Sequence, residues 1–209
     1  MLNVIRAIVL TVVVMLIGIK TEAQERYYPT PDNKPKVRME MGVGLDAVIT
    51  GIKSVSTQAV TLNPRLGYGA HFDMALCIGR HFAIEAEVGY QRGKIKAQDA
   101  RNTYAIKTRT IDVPILLSLR VANQHIRINA GPVFTVMSKA QYMFNNETME
   151  YGPVYPTWNI MGSIGFCIGR HFLLEARYIH ALKSTYNQVE GVEFTARPHR
   201  ISAGFTVLF

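Results

Sequence analysis

The chain has 209 residues and carries 23 Lys and Arg against 15 Asp and Glu, a formal net charge of +8. One domain is the natural count at this length, and no Gly-rich phosphate loop, zinc-ligand spacing or nucleophile elbow stands anywhere along it. Basic charge can serve nucleic acid, but the start of the chain directs it for export, which leaves that class little room.

Met1 to Ala23 combines a short basic start at Arg6, an apolar stretch from Ala7 to Ile19, and Thr21-Glu22-Ala23 before Gln24. This is the pattern of a secretory signal peptide cleaved near Ala23. A transmembrane anchor is the competing reading, but the apolar stretch falls short of the roughly 20 residues a spanning helix needs. Cleavage removes Arg6, Lys20 and Glu22 and leaves 21 basic and 14 acidic side chains. Residues 24–36, with Tyr27, Tyr28 and three prolines, follow neither the helical nor the strand period and read as a mobile leader on the periplasmic side.

From residue 37 the period is two. Met39, Met41, Val43, Leu45, Ala47 and Ile49 share one face, with Arg38, Glu40, Gly42, Gly44 and Asp46 on the other. Thr50 to Arg65 is a long polar connection able to extend the strands beside it. Leu66, Tyr68, Ala70, Phe72, Met74, Leu76 and Ile78 then oppose His71, Asp73 and Cys77, up to a turn in Cys77-Ile-Gly-Arg-His-Phe82. The same six residues return at 167–172, so one hairpin unit is used twice. Phe82, Ile84, Ala86, Val88 and Tyr90 leave the first turn opposite Glu85 and Glu87. A second long connection, 92–109, carries Arg92, Lys94, Lys96, Arg101, Lys107 and Arg109 against the single acid Asp99.

Ile111, Val113, Ile115, Leu117 and Leu119 face outward next, with Asp112, Pro114, Leu116, Ser118 and Arg120 inward. After a short turn at 122–125, Ile126, Ile128, Ala130, Pro132, Phe134 and Val136 oppose Arg127, Asn129, Gly131 and Thr135. The longest connection, 137–156, holds turn signals at Asn145-Asn146 and Gly152-Pro153. Trp158, Ile160, Gly162, Ile164, Phe166 and Ile168 enter the second Gly-Arg-His turn, and Phe172, Leu174, Ala176 and Tyr178 leave it, opposite Glu175 and Arg177. Residues 183–198 make the last long connection, and Ile201, Ala203, Phe205, Val207 and Phe209 close the chain opposite Arg200.

Four long connections alternate with three short ones between eight strands. An even number of antiparallel strands with short turns at one rim and long loops at the other is the pattern of an up-and-down transmembrane β-barrel over residues 37–209. Lipid-facing and lumen-facing residues average out along each strand, so no later segment is a continuous apolar run. Tyr68, Tyr90, Trp158 and Tyr178 fall at the long-loop ends and Phe82, Phe172 and Phe209 at the short-turn ends. The ten steps from Tyr68 to Ile78 span about 25 Å at the usual rise and tilt, the height of the apolar band.

Three features carry a family resemblance: Ile111-Asp112-Val113-Pro114-Ile115-Leu116-Leu117, an apolar-x-apolar-Pro strand; Ala130-Gly131-Pro132 in the next strand; and the terminal Phe209. With them the chain resembles the small outer-membrane β-barrel domain family of Gram-negative bacteria, which includes PorT-like and OmpA/OmpX-like barrels. The resemblance implies a place in the cell outer membrane, contact with its lipid and lipopolysaccharide, and handling by the barrel-insertion machinery, with Phe209 as the insertion signal.

The inward set Arg38, Glu40, Asp46, His71, Asp73, Glu85, Glu87, Asp112, Arg120, Arg127, Glu175, Arg177 and Arg200 mixes both signs. Unpaired charges out of bulk water are costly, so these side chains are expected to pair across the lumen as a polar plug. The alternative is an ion path or a pocket, for which eight strands leave room for at most one small ligand. His71 and Asp73 offer a general base with its orienter but no accompanying nucleophile. His180 and Ser184, near the outer rim, bear a loose likeness to the His and Ser of lipid A deacylase barrels. The basic loop 92–109 suits phosphates of lipopolysaccharide, or is simply solvated.

The expected function is therefore a structural or interaction barrel serving envelope integrity, adhesion or a secretion apparatus, with any protein partner engaged through the long loops. A narrow channel and a lipid A-modifying enzyme are the alternatives. No cofactor, metal or nucleic acid is expected. Cys77 and Cys167 invite a disulfide in an exported chain, but they lie on opposite walls of a barrel roughly 16 Å across, while a disulfide needs α-carbons within about 7 Å. Free thiols follow.

Overall fold

The computed structural model describes residues 37–55, 61–98, 103–144, 147–150, 153–189 and 192–209. The expected signal peptide, the leader and Arg101 lie outside the described residues. Ten strands follow in order: β1 (Val37–Val55), β2 (Thr61–Ile78), β3 (Phe82–Gln98), β4 (Thr103–Val121), β5 (Ile126–Phe144), β6 (Glu147–Glu150), β7 (Trp158–Ile168), β8 (Phe172–Ala181), β9 (Thr185–Val189) and β10 (Val192–Leu208). Eight of them, β1, β2, β3, β4, β5, β7, β8 and β10, form the wall. Each is antiparallel to its neighbours, and β10 returns to β1, so the sheet closes. The short strands β6 and β9 pair with β5 and β10 at the long-loop rim.

The alternation read from the sequence is the alternation of burial. Along β7 and most of β8, exposed and buried residues succeed one another without a break. The exposed members are large and apolar, such as Leu45, Leu117, Ile164 and Phe205. Exposed apolar side chains on every strand of a closed cylinder form a continuous lipid-facing surface. Met41 departs from this pattern. Its position in the alternation is outward, yet it is only 7% exposed, between its cross-strand neighbours Met74 and Phe209.

The three short turns share one device. His81, His125 and His171 are the last residues of their turns, and their carbonyls accept the N–H of Arg120, Cys167 and Leu208, each at 2.7 Å. His81 and His171 also place Nδ1 at 3.1 and 3.2 Å from the carbonyls of those same residues Arg120 and Leu208. A two-bond bracket thus carries the ladder past the last strand residue. This accounts for the repeated Gly-Arg-His: Gly79 and Gly169 take φ of +69° and +62°, which glycine adopts at no steric cost, and the histidine two residues on locks the turn to the next strand.

Most of the expected long connections are strand. β1 continues to Val55 and β2 starts at Thr61, while β3 and β4 approach each other as far as Gln98 and Thr103. The apolar–polar alternation stops at the membrane surface because the outward face becomes charged there, but the backbone pairing continues. Above that level the inner face is apolar: Ile95, Ile106 and Tyr142 stand in one cross-strand row and are all buried.

Candidate functional site

The lumen is the chemically dense part of the molecule. In the layer nearest the short turns, Glu40 is the hub. It accepts from Arg38 at 2.5 Å, Arg120 at 2.7 Å and Arg127 at 3.0 Å. Arg120 also reaches Glu85 at 3.3 Å, and Arg38 donates to Gln124 in the 122–125 turn at 2.9 Å.

Arg177 organises the middle layer. Its Nε donates to Glu175 at 2.6 Å and its Nη1 to Glu87 at 2.9 Å. Its Nη2 lies 3.1 Å from His71 Nε2. Ser163 and Asn129 donate to Glu175 at 2.6 and 3.0 Å, and Asp46 stands 4.0 Å from Arg177. His71 Nδ1 is 2.7 Å from Asp46, with Nε2 2.9 Å from Thr206 and 3.5 Å from Asp73. A guanidinium offers only donors, so the Arg177 contact assigns Nε2 as acceptor and Nδ1 as the protonated nitrogen. Gly44 makes this possible, since a Cβ there would overlap the imidazole.

In the layer nearest the long loops, Arg200 donates to Asp112 at 2.5 Å and to Thr110 at 3.0 Å, and Thr135 donates to Asp112 at 2.7 Å. The residues 153–157 turn inward over this layer. Val154 and Tyr155 are buried, the Tyr155 ring lies 4.9 Å from the Arg200 guanidinium, and the Tyr155 N–H donates to Ser138 at 2.8 Å. Burial pushes the Tyr155 hydroxyl up to about 12, and the neighbouring Arg200 offsets only part of that effect.

All thirteen inward charged residues therefore meet in three layers. What the alternation alone does not reveal is who pairs with whom. Asp46, 25 residues from His71, orients the imidazole through Nδ1, whereas Asp73 stands 3.5 Å from the acceptor Nε2. The lumen also has an apolar sector that alternation does not announce, formed by Leu116, Val133, Met161 and Ile179 on four consecutive wall strands. The closure by Val154 and Tyr155 is likewise absent from the alternation. Its only trace in the sequence is the pair Pro153 and Pro156, bracketing two apolar residues inside a polar connection.

Asp46, His71 and Thr206 stand in the order carboxylate, imidazole, hydroxyl that activates a nucleophile elsewhere. Here the hydroxyl carrier Thr206 is fully buried. A cavity of about 20 Å³ between Glu40, Glu87, Arg127 and Arg177 has room for about one water. The Thr206 hydroxyl is thus closed off from bulk solvent.

Outside the barrel, Lys94, Lys107 and Arg109 are exposed and Arg92 and Lys96 half-buried on the outward face of β3 and β4. His180 stacks on Tyr178 with centroids 6.2 Å apart, and Ser184 lies beyond the end of β8. The N–H of Phe209 donates to the Met41 carbonyl at 2.9 Å, closing the seam between first and last strands. Cys77 and Cys167 are buried and free.

A closed cylinder of eight antiparallel strands, apolar outside and internally paired inside, defines an outer-membrane β-barrel protein. The chain belongs to the outer membrane protein beta-barrel domain family, whose model matches residues 23–187. It is similar in fold to the Neisserial surface protein A, NspA, at 12% identity and a TM-score of 0.52, over 82% of this chain and 98% of that one. The attachment invasion locus protein Ail of Yersinia pestis gives 10% identity and a TM-score of 0.50 over 82% and 99%. OprG from Pseudomonas aeruginosa gives 10% identity and a TM-score of 0.50 over 84% and 98%. No curated protein matches the sequence.

Proposed function

We infer that this barrel is a structural or interaction component of the outer membrane, with a lumen closed to solutes and no enzymatic turnover. One observation carries the reading: every lumen arginine is paired with a carboxylate, and the cavity between them is about 20 Å³. A channel needs a continuous hydrated path, and an enzyme needs a cleft that admits its substrate; a plugged barrel supplies neither. What remains is surface: a lipid-facing wall, and loops through which a partner in envelope integrity, adhesion or a secretion apparatus is engaged. In this reading residues 1–23 direct export, and Phe209 on the last strand is the residue the insertion machinery reads.

Planar bilayers containing the purified barrel test the closed lumen. No stable, porin-sized conductance is expected. Steady large openings altered by truncating Arg127 or Glu175 would establish the channel instead. Mass spectra of lipid A from cells with and without the protein should coincide; a mass difference would establish the enzyme.

A further inference from the structure

Directly opposite residues on antiparallel strands hold their Cβ atoms about 5 Å apart, and like charges so placed destabilise the sheet. Two rows of this kind cross the outer face just above the aromatic girdle. Arg92 is opposite Arg109, which is opposite Lys139; Arg65 is opposite Lys94, which is opposite Lys107. Lys96 stands above them on β3. None of these seven cations makes an ion pair among the described residues, and the nearest acid in register is Glu150, beyond Gln141 at the end of the second row.

Two irregularities build the rows. The register shift between Arg65 and Tyr68 brings odd-numbered Arg65 onto the outward face of β2, which below it is even-numbered. The shift opposite Ile111 and Asp112 does the same for Lys139 on β5, with Val136 as the extra residue. Without these bulges both side chains would point into the barrel.

Height and direction specify the counter-charge. Tyr90 and Ile111 form the row beneath, and Arg92 donates to Tyr68 at 3.2 Å. At the strand rise and tilt the cation rows lie about 5 and 10 Å above the Tyr90 row, the depth of lipid headgroups. The side chains leave the wall laterally, toward packed lipid. Across the barrel the row above Tyr178 reads Gly51, His199, His180 and Ile160, with no lysine or arginine. The row above that holds a single opposed pair in register, Lys53 and Arg197, rather than two adjoining cation rows.

We propose that the outward face of β2 to β5 docks a phosphorylated glycolipid of the outer leaflet. Its acyl chains lie on the apolar wall below, and its phosphates lie between the opposed guanidinium and ammonium groups. Charge-assisted bonds to phosphate then replace the repulsion that the bare rows carry. The inference is independent of whether the lumen is closed.

The test uses the full mature chain in detergent, titrated with bisphosphoryl lipid A and followed by native mass spectrometry. Dephosphorylated lipid A and soluble heparin are run in parallel. Wild type should retain lipid A, and the triple variant Arg92→Gln/Arg109→Gln/Lys139→Gln should bind it at least about tenfold more weakly, while Arg197→Gln on the far wall stays at wild-type level. Should the triple variant not fold, Lys94→Gln/Lys107→Gln is read the same way. Equal binding by wild type and row variants, or equal binding of the dephosphorylated lipid, overturns the proposal. Retention of heparin without lipid A also overturns it and gives the wall to a soluble polyanion.

Discussion

Inside the barrel Arg38, Arg120, Arg127, Arg177 and Arg200 each meet a carboxylate within 3 Å, whereas outside Arg92, Arg109 and Lys139 meet one another. The same residue types thus do opposite work on the two sides of one sheet. The lumen pairs each of its arginines internally, so its charge is cohesive and belongs to folding. The outer rows depend on the surroundings for neutralisation, so their charge belongs to recognition. Substitutions on the two sides should separate accordingly.

The largest effect is expected at Arg177. Arg177→Met leaves Glu87 and Glu175 buried without their cation, and breaking a buried pair costs about 3 to 5 kcal/mol. Urea unfolding of the barrel in phosphatidylcholine vesicles reads this directly.

Next come changes that test which way the wall faces. Ala86 is exposed to lipid and Glu85 turns inward toward Arg120. An Arg on the lipid side at the midplane costs about 2 to 4 kcal/mol. Ala86→Arg should therefore impair folding into vesicles far more than Glu85→Gln, and equal losses would void the facing. At the short-turn rim, His81→Ala removes one arm of a bracket and should cost about 1 kcal/mol, with the same loss at His171→Ala. The smallest effect is expected on the outer rows. Lys107→Gln in phosphatidylcholine vesicles should change stability by less than about 0.5 kcal/mol, or raise it slightly, because a like-charged neighbour is removed.

The two sides also differ in how far the sequence reveals them. A strict period of two tells inside from outside, so the strand count, the lumen charges and the placing of Cys77 and Cys167 follow from local pattern. Pairing around a closed cylinder depends on stagger, which no single strand encodes. Asp46 therefore reaches His71 from a neighbouring strand, and Arg177 reaches Glu87 from across the lumen. The facing of Arg65 and Lys139 is hidden for a different reason: each is shifted in parity by a bulge, and alternation misplaces every residue beyond one. Tyr155 sits in a segment with no period, so only its burial over Arg200 reveals it.

The central claim is that lumen charges are bound to one another rather than solvated. A double-mutant cycle on Arg177 and Glu87 tests it most directly, with unfolding free energies in phosphatidylcholine vesicles for wild type, Arg177→Met, Glu87→Gln and the double variant. The two groups are 2.8 Å apart, and the double variant should be less destabilised than the sum of the single ones by about 1 to 3 kcal/mol. Strict additivity would mean that each group is solvated on its own, and would contradict the internally paired lumen.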